Sequence, residues 1–243
     1  MKIAMWSGPR NLSTAMMYAF AARGDCAVWD EPFYAAYLAK TGIDHPMRDT
    51  IIATDDTDPT RIAAACMRPT PDGKALHYQK HMTLHMIPEF DRGFMRHLTN
   101  VFLIRHPARV VASYARKREA PVLEDLGFLQ QLEIFEETGG GPVIDSDDIR
   151  RDPAGALGML CAELGIPWDA AMLHWPAGGR AEDGAWAPHW YGAVHRSTGF
   201  DGAEGPLPDL SPGYDALAAA ALPAYRALSA RRLRIRSEPS PRR

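Results

Sequence analysis

The 243-residue chain is poor in cysteine, with only Cys26, Cys66 and Cys161. They lie far apart, follow no metal-ligand spacing and cannot all pair within one chain, which excludes a disulfide framework and a structural zinc site. A reducing compartment fits that usage. No stretch approaches the roughly 20 apolar residues needed to span a bilayer. The start, Met1-Lys2-Ile3-Ala4-Met5-Trp6, carries one charge and runs at once into a loop, so it lacks the apolar core of a signal peptide. A cytoplasmic protein is expected. Charge of one sign is also scarce: the formal net charge of −3 gives no global attraction to nucleic acid or to an anionic membrane. Neither is expected as a partner, and any anion must be held by a local cluster of donors. No internal repeat is present.

What is there is ordinary for a globular protein: 46% hydrophobic and 23% charged residues. The length suits one generous α/β domain better than two with small cores. Short apolar runs at 3–6, 27–29, 75–78, 101–104 and 142–144 alternate with helical stretches at 13–22, 59–66, 87–96, 107–118, 123–138, 152–164 and 214–229. That alternation predicts a mostly parallel central sheet covered on both faces, a three-layer α/β sandwich. The domain is expected to occupy residues 1–230, with a basic, fraying tail at 231–243. Residues 176–212, dense in Gly, Pro, Trp and His, read as an irregular cover over an active site, with Trp186, His189, Trp190 and Tyr191 in it.

The segment Trp6-Ser7-Gly8-Pro9-Arg10-Asn11-Leu12-Ser13-Thr14 predicts a strand, a tight loop and a helix start. Such a junction presents unpaired backbone N–H groups and the positive end of a helix dipole to an anion. Gly8 lets the backbone come close and Pro9 stiffens the turn. Arg10 adds a planar donor fork, and Ser13 and Thr14 add hydroxyls. A Walker A loop would need a Gly-Lys-Ser/Thr sequence after four spacer residues, and neither that lysine nor its spacing occurs. ATP or GTP hydrolysis is therefore disfavoured, while another phosphorylated nucleotide stays open. Residues 101–105 then read as a buried strand ending at Arg105, followed by a helix with Pro107 at its first position. Arg105 thus stands at the strand edge where open α/β sheets bind ligands; whether Ser113, two turns on, meets the same phosphate depends on the helix angle.

With these two segments the sequence resembles the sulfotransferase family, which transfers a sulfuryl group from 3′-phosphoadenosine 5′-phosphosulfate (PAPS) to an acceptor hydroxyl or amine. The family's 5′-phosphosulfate loop, Pro-Lys/Arg-Ser-Gly-Thr/Ser-Thr, is matched by Pro9-Arg10-Asn11-Leu12-Ser13-Thr14, with Leu12 where the family has glycine. Its 3′-phosphate motif, an Arg closing a strand and a Ser eight positions later, is matched by Arg105 and Ser113. Residues 147–153 resemble the family's Glu-Asp-Leu-x-x-Asp-Pro segment, and 195–200 its late Arg-Lys-Gly loop, which implies a 3′-phosphate role for Arg196. The resemblance implies a P-loop NTPase-like fold, PAPS as donor cosubstrate, no metal and a small-molecule acceptor.

Sulfuryl transfer needs cations around the moving group, an in-line acceptor and a base for the acceptor proton. Arg10 and the loop amides meet the first need. For the base, His81 aligns by resemblance with the family's Lys-Thr-His-Leu-Pro motif. Glu31, in Asp30-Glu31-Pro32-Phe33, resembles a Glu-Pro pair that several sulfotransferases place near the acceptor. Both stay open, and Lys80 beside His81 is a candidate for the bridging oxygen of the leaving group. A catalytically silent nucleotide-binding module and a P-loop nucleotide kinase are the alternatives.

Overall fold

The structure, a computed structural model, describes residues 1–116 and 121–234. Five parallel strands form one sheet in the order β2-β3-β1-β4-β5. They are β1 (Lys2–Ser7), β2 (Cys26–Asp30), β3 (Leu76–Met82), β4 (Thr99–Ile104) and β5 (Val143–Asp145). Central β1 pairs Trp6 with His81 on one side and with Phe102 on the other. Ile3, Ala4, Met5 and Trp6 are wholly buried, the pattern of a strand covered on both faces.

Alternation along the strands divides the core. Ile3, Met5, Leu76, Tyr78, Val101 and Leu103 face α1 (Ser13–Ala22), α8 (Ser146–Arg151) and α9 (Pro153–Glu163). Ala4, Trp6, Phe102 and Ile104 face α2 (Tyr34–Thr41), α4 (Pro59–Cys66), α7 (Phe128–Glu137) and the long α12 (Pro212–Ser229). Helix α5 (Pro107–Ala115) packs with α6 (Leu123–Leu126) and the alanine face of α12. Helix α3 (Arg48–Thr54) packs with α2 and with Trp186, Ala187 and Tyr191 of the cover, which holds the short α10 (Ala187–Trp190) and α11 (Gly192–His195). The result is the three-layer α/β arrangement expected.

Several elements differ from the reading of the sequence. β3 runs four residues beyond the expected end at Tyr78, to Met82. The helix expected over 123–138 is broken at Gly127, whose φ of 72 is left-handed. A Cβ there would lie 2.6 Å from Thr83 Oγ1, so glycine alone fits the junction. The stretch 87–96 forms only a 3₁₀ segment, Gly93–His97. Helix α5 ends at Ala115, and the expected last residues, Lys117 and Arg118, lie outside the described residues. Helix α9 follows its punctuation: Asp152 Oδ1 accepts from Gly155 N at 2.9 Å, and Gly165 takes φ 65 at its end. Past α12 the chain stays with the sheet, where Leu233 N donates to Val143 O at 2.8 Å. Of the basic tail, residues 235–243 lie outside the described residues. Among the described residues no helix is long and apolar enough to cross a membrane, and no group of three His, Cys, Asp or Glu converges on a metal position.

Candidate active site at the carboxyl edge of the sheet

The strand order places a topological switch between β1 and β4: the chain passes from β1 to β2 on one side of the sheet and from β4 to β5 on the other. Ligands of open α/β sheets bind in the crevice at such a point. The loop after β1 and the residue after β4 flank it.

In the β1–α1 loop both Arg10 (φ 63) and Leu12 (φ 73) are left-handed. The loop therefore keeps, at Leu12, a backbone shape for which the resembled motif has glycine. A left-handed non-glycine residue costs about 1–2 kcal/mol, offset in part because Leu12 packs against the core beside α1. A Cβ on Gly8 would lie 2.2 Å from Leu126 O, so only glycine passes beneath the α6–α7 junction. Helix α1 begins without a side-chain cap and without an acidic residue in its first turn. Its first N–H groups are thus left for another acceptor. Asn11 Nδ2 ties the loop to β4 through Leu103 O at 3.3 Å.

The two basic motifs meet across the crevice. Arg10 Nε donates to Ser113 Oγ at 3.0 Å, and Arg105 Nη1 donates to Arg10 O at 2.7 Å. The angle of α5, set by Pro107 at its first position and by His106 Nδ1 accepting from Ala108 N at 3.2 Å, carries Ser113 to the loop. Burial, then the neighbouring Arg105 and Arg116, push the Arg10 pKa down, as expected of crowded positive charge.

Beside this lies a buried charged cluster at the ends of β2 and β3. Lys80 Nζ donates to Asp30 Oδ1 at 2.9 Å, to Glu31 Oε1 at 2.5 Å and to Tyr191 OH at 2.6 Å. Tyr191 OH donates to Asp30 Oδ2 at 2.7 Å and accepts from Trp186 Nε1 at 2.8 Å. Glu31 has φ 39, a left-handed residue directly before Pro32 at a strand end, the kind of strain that clusters at functional sites. Burial pushes the Lys80 pKa down, but the two carboxylates outweigh it and the net shift is upward. Two carboxylates share this one ammonium, and burial, reinforced by Asp30, raises Glu31 against the pull of Lys80. His85 stands close, its Nε2 3.9 Å from Glu31 Oε2. Its ring is stacked between Tyr34 and Tyr37, at 4.5 and 5.0 Å, and its Nδ1 has no hydrogen-bond partner.

A cavity of about 300 Å³ joins the two groups. Among the residues expected from the sequence, Pro9, Arg10, Leu12, Ser13, Thr14, Glu31, Lys80, Arg105 and Ser113 line it, with Trp186, Trp190 and Tyr191. Gly8 and Asn11 shape the loop from behind. His81 is not brought to the cavity. Neighbours on a strand point to opposite faces, and His81 points away from Lys80 into the other half of the core. There it stacks on Trp6 at 4.4 Å, bonds Gln79 Oε1 at 3.2 Å and is held by burial down to a pKa of about 3. Arg196 is exposed and borders a second hollow with Asp152, Pro153 and Asp201, outside the main cavity. The sequence reading passed over Asp30, Tyr34 and His85. Continuing the strand alternation from Tyr78 through Lys80 to Met82 is the signal that would have found the buried cluster. The assembled site can hold an anionic ligand over the loop and present a carboxylate and an imidazole to a second ligand.

A family model described as a sulfotransferase domain matches residues 1–232. The branched-chain-amino-acid aminotransferase-like proteins 2 and 1 of Arabidopsis thaliana are 37% and 38% identical to the chain over 202 residues, 82% of this chain and 36% of theirs. The chain thus spans about a third of the length of these relatives. A sulfotransferase from Alicyclobacillus acidocaldarius, 11% identical, superposes over 96% of each chain with a TM-score of 0.55, a likeness of fold.

Proposed function

The chain belongs to the sulfotransferase domain family, and on that premise we propose that it transfers a sulfuryl group from PAPS to a hydroxyl or amine of a small acceptor. The observation that carries this reading is the convergence of Arg10, Arg105 and Ser113 at the switch point, on one cavity with Glu31 and Lys80. The donor supplies the activated sulfuryl group. Around it, the uncapped first turn of α1 and the Arg10 fork bind the 5′-phosphosulfate end, and Arg105 with Ser113 binds the 3′-phosphate. The absence of a Walker lysine keeps ATP with Mg²⁺ a poor fit.

At the other end of the cavity, Glu31 is the proton acceptor of this reading. Its Oε1 is held by Lys80 while Oε2 faces His85 across 3.9 Å, beyond a direct hydrogen bond. An acceptor hydroxyl or amine placed between them donates to one and is oriented by the other. The raised pKa of Glu31 suits a group that takes up a proton. Lys80, on the same carboxylate, is the positive charge nearest the reacting end.

Thermal melting with adenosine 3′,5′-bisphosphate against ATP with Mg²⁺ tests the nucleotide, and labelled PAPS with pooled alcohols, phenols, amines and sugars tests transfer. A rise in melting temperature with the bisphosphate alone is expected. No rise, or a larger one with ATP, sinks the donor assignment. Binding without transfer to any pool favours a silent module.

A further inference from the structure

Arg105 is already engaged on its outer side by the chain itself. Glu204 meets it fork on fork: Arg105 Nε donates to Glu204 Oε2 at 3.2 Å and Nη2 donates to Oε1. Arg109 Nε lies 3.3 Å from the same Oε2. A third arginine holds the neighbouring turn, with Arg150 Nη2 3.5 Å from Asp201 Oδ2 and Nε donating to Gly202 O at 3.1 Å. Arg109 also donates to Gly205 O, and to Pro206 O at 3.4 Å. Residues 201–206 have no regular structure, and these hydrogen bonds to the body all come from arginine side chains. Glu204 is nevertheless largely buried, its side chain 11% exposed. Burial pushes its pKa up, but Arg105, Arg109 and Arg150 outweigh that and hold it below the usual carboxylate range.

A carboxylate and a phosphate offer a guanidinium the same pair of coplanar acceptor oxygens. A phosphomonoester adds a third oxygen and approaches a double negative charge at neutral pH, so the two arginines that meet on Glu204, with Arg150 on the neighbouring residues, favour it over a single carboxylate. We propose that Glu204 is an internal stand-in for a phosphomonoester: it closes the 3′-phosphate subsite, is displaced by a 3′-phosphorylated nucleotide, and leaves Arg109 and Arg150 to join Arg105 on that phosphate. This rests on the reading of Arg105 as a 3′-phosphate ligand. The consequence is selectivity. A nucleotide with a bare 3′-hydroxyl brings nothing that outcompetes Glu204, so the segment stays shut over Arg105.

Calorimetry with the wild type and Glu204→Gln tests this against adenosine 3′,5′-bisphosphate, inorganic phosphate and 5′-AMP. The variant is expected to bind the bisphosphate about tenfold more tightly, equivalent to about 1.4 kcal/mol, with 5′-AMP changed by less than about twofold. In the wild type, amide hydrogen exchange across 201–206 is expected to quicken with the bisphosphate and with inorganic phosphate but not with 5′-AMP. The phosphate arm separates the two ideas. If no nucleotide binds either protein yet phosphate loosens 201–206, the nucleotide reading fails and the stand-in holds. If Glu204→Gln leaves bisphosphate and phosphate affinity unchanged or lower, and phosphate leaves the exchange of 201–206 unaltered, Glu204 is a fixed structural partner of Arg105 and the proposal falls.

Discussion

Arg10 Nε donates to Ser113 Oγ at 3.0 Å, joining the loop after the central strand to the second turn of the helix after β4. The two residues face each other across the switch in strand order, where the carboxyl ends of the adjacent β1 and β4 open onto one crevice. The hydrogen bond also fixes the direction of the Arg10 fork. An anion over the loop thus meets an oriented donor rather than a free side chain.

Arg105→Ala removes a charge-assisted partner worth roughly 1.5–3 kcal/mol. Bisphosphate affinity is expected to fall roughly 10- to 150-fold by calorimetry. Unfolding in urea should also register the loss of the Arg105–Glu204 pair, whose side chains are only 15% and 11% exposed. Undiminished affinity would remove Arg105 from the nucleotide site.

Lys80→Met strands two buried carboxylates without their ammonium. Lys80 is 1% exposed, and breaking a buried pair from one side costs about 3–5 kcal/mol. Urea unfolding is the measurement, and adding Glu31→Gln to the variant should recover part of the loss. A loss under about 1 kcal/mol, as for exposed pairs, would show the cluster to be open to water.

The two base candidates separate by face. His81→Phe keeps the stack on Trp6 and is expected to leave turnover within about twofold, whereas Glu31→Gln should lower kcat by about 10²- to 10⁴-fold with bisphosphate affinity retained. Loss of turnover in His81→Phe with normal folding would return the role to His81.

Stability should fall as pH drops below about 6.5. Burial holds His81 down to about 3 and His77 down to about 4, and His85 well below its ordinary value, helped by His45 and Lys80. In the unfolded chain all three regain a pKa near 6.5. Between there and their folded values protons bind only the unfolded state. The stabilisation is thus full above about 6.5 and declines by up to about 1.4 kcal/mol per pH unit for each histidine. Unfolding in urea at several pH values from neutral downward measures it, and His81→Phe should flatten the slope by one histidine's share. An unchanged slope would mean that His81 is not buried as described.

Much of this was legible from the amino acids because breakers and apolar runs mark it. Helix α1 was expected at 13–22, where it lies, since Ser-Gly-Pro stops β1 and no breaker follows Ser13. The approach of Ser113 to Arg10 was not legible, because spacing along a helix says nothing of the helix's angle to a loop. His81 misled for a similar reason. Ending β3 at Tyr78 treats Lys80 and His81 as loop neighbours free to share a site, whereas within a strand they must part to opposite faces. Helix 123–138 hid its break because one glycine in a helical pattern is often tolerated; the need for Gly127 arises from Thr83, distant in sequence. Glu204 had no local signature, since its meaning lies in Arg105 and Arg109, about a hundred positions away in sequence, which bind it.

Of the six tryptophans, Trp186 and Trp190 stand in the cavity wall, and the indole N–H of Trp186 is bonded to the hydroxyl that touches both Lys80 and Asp30. The protein therefore carries a native optical probe hydrogen-bonded into its buried charged cluster. On the proposed reading of Glu31 as proton acceptor, the emission of that indole is expected to respond to acceptor entry into the cavity.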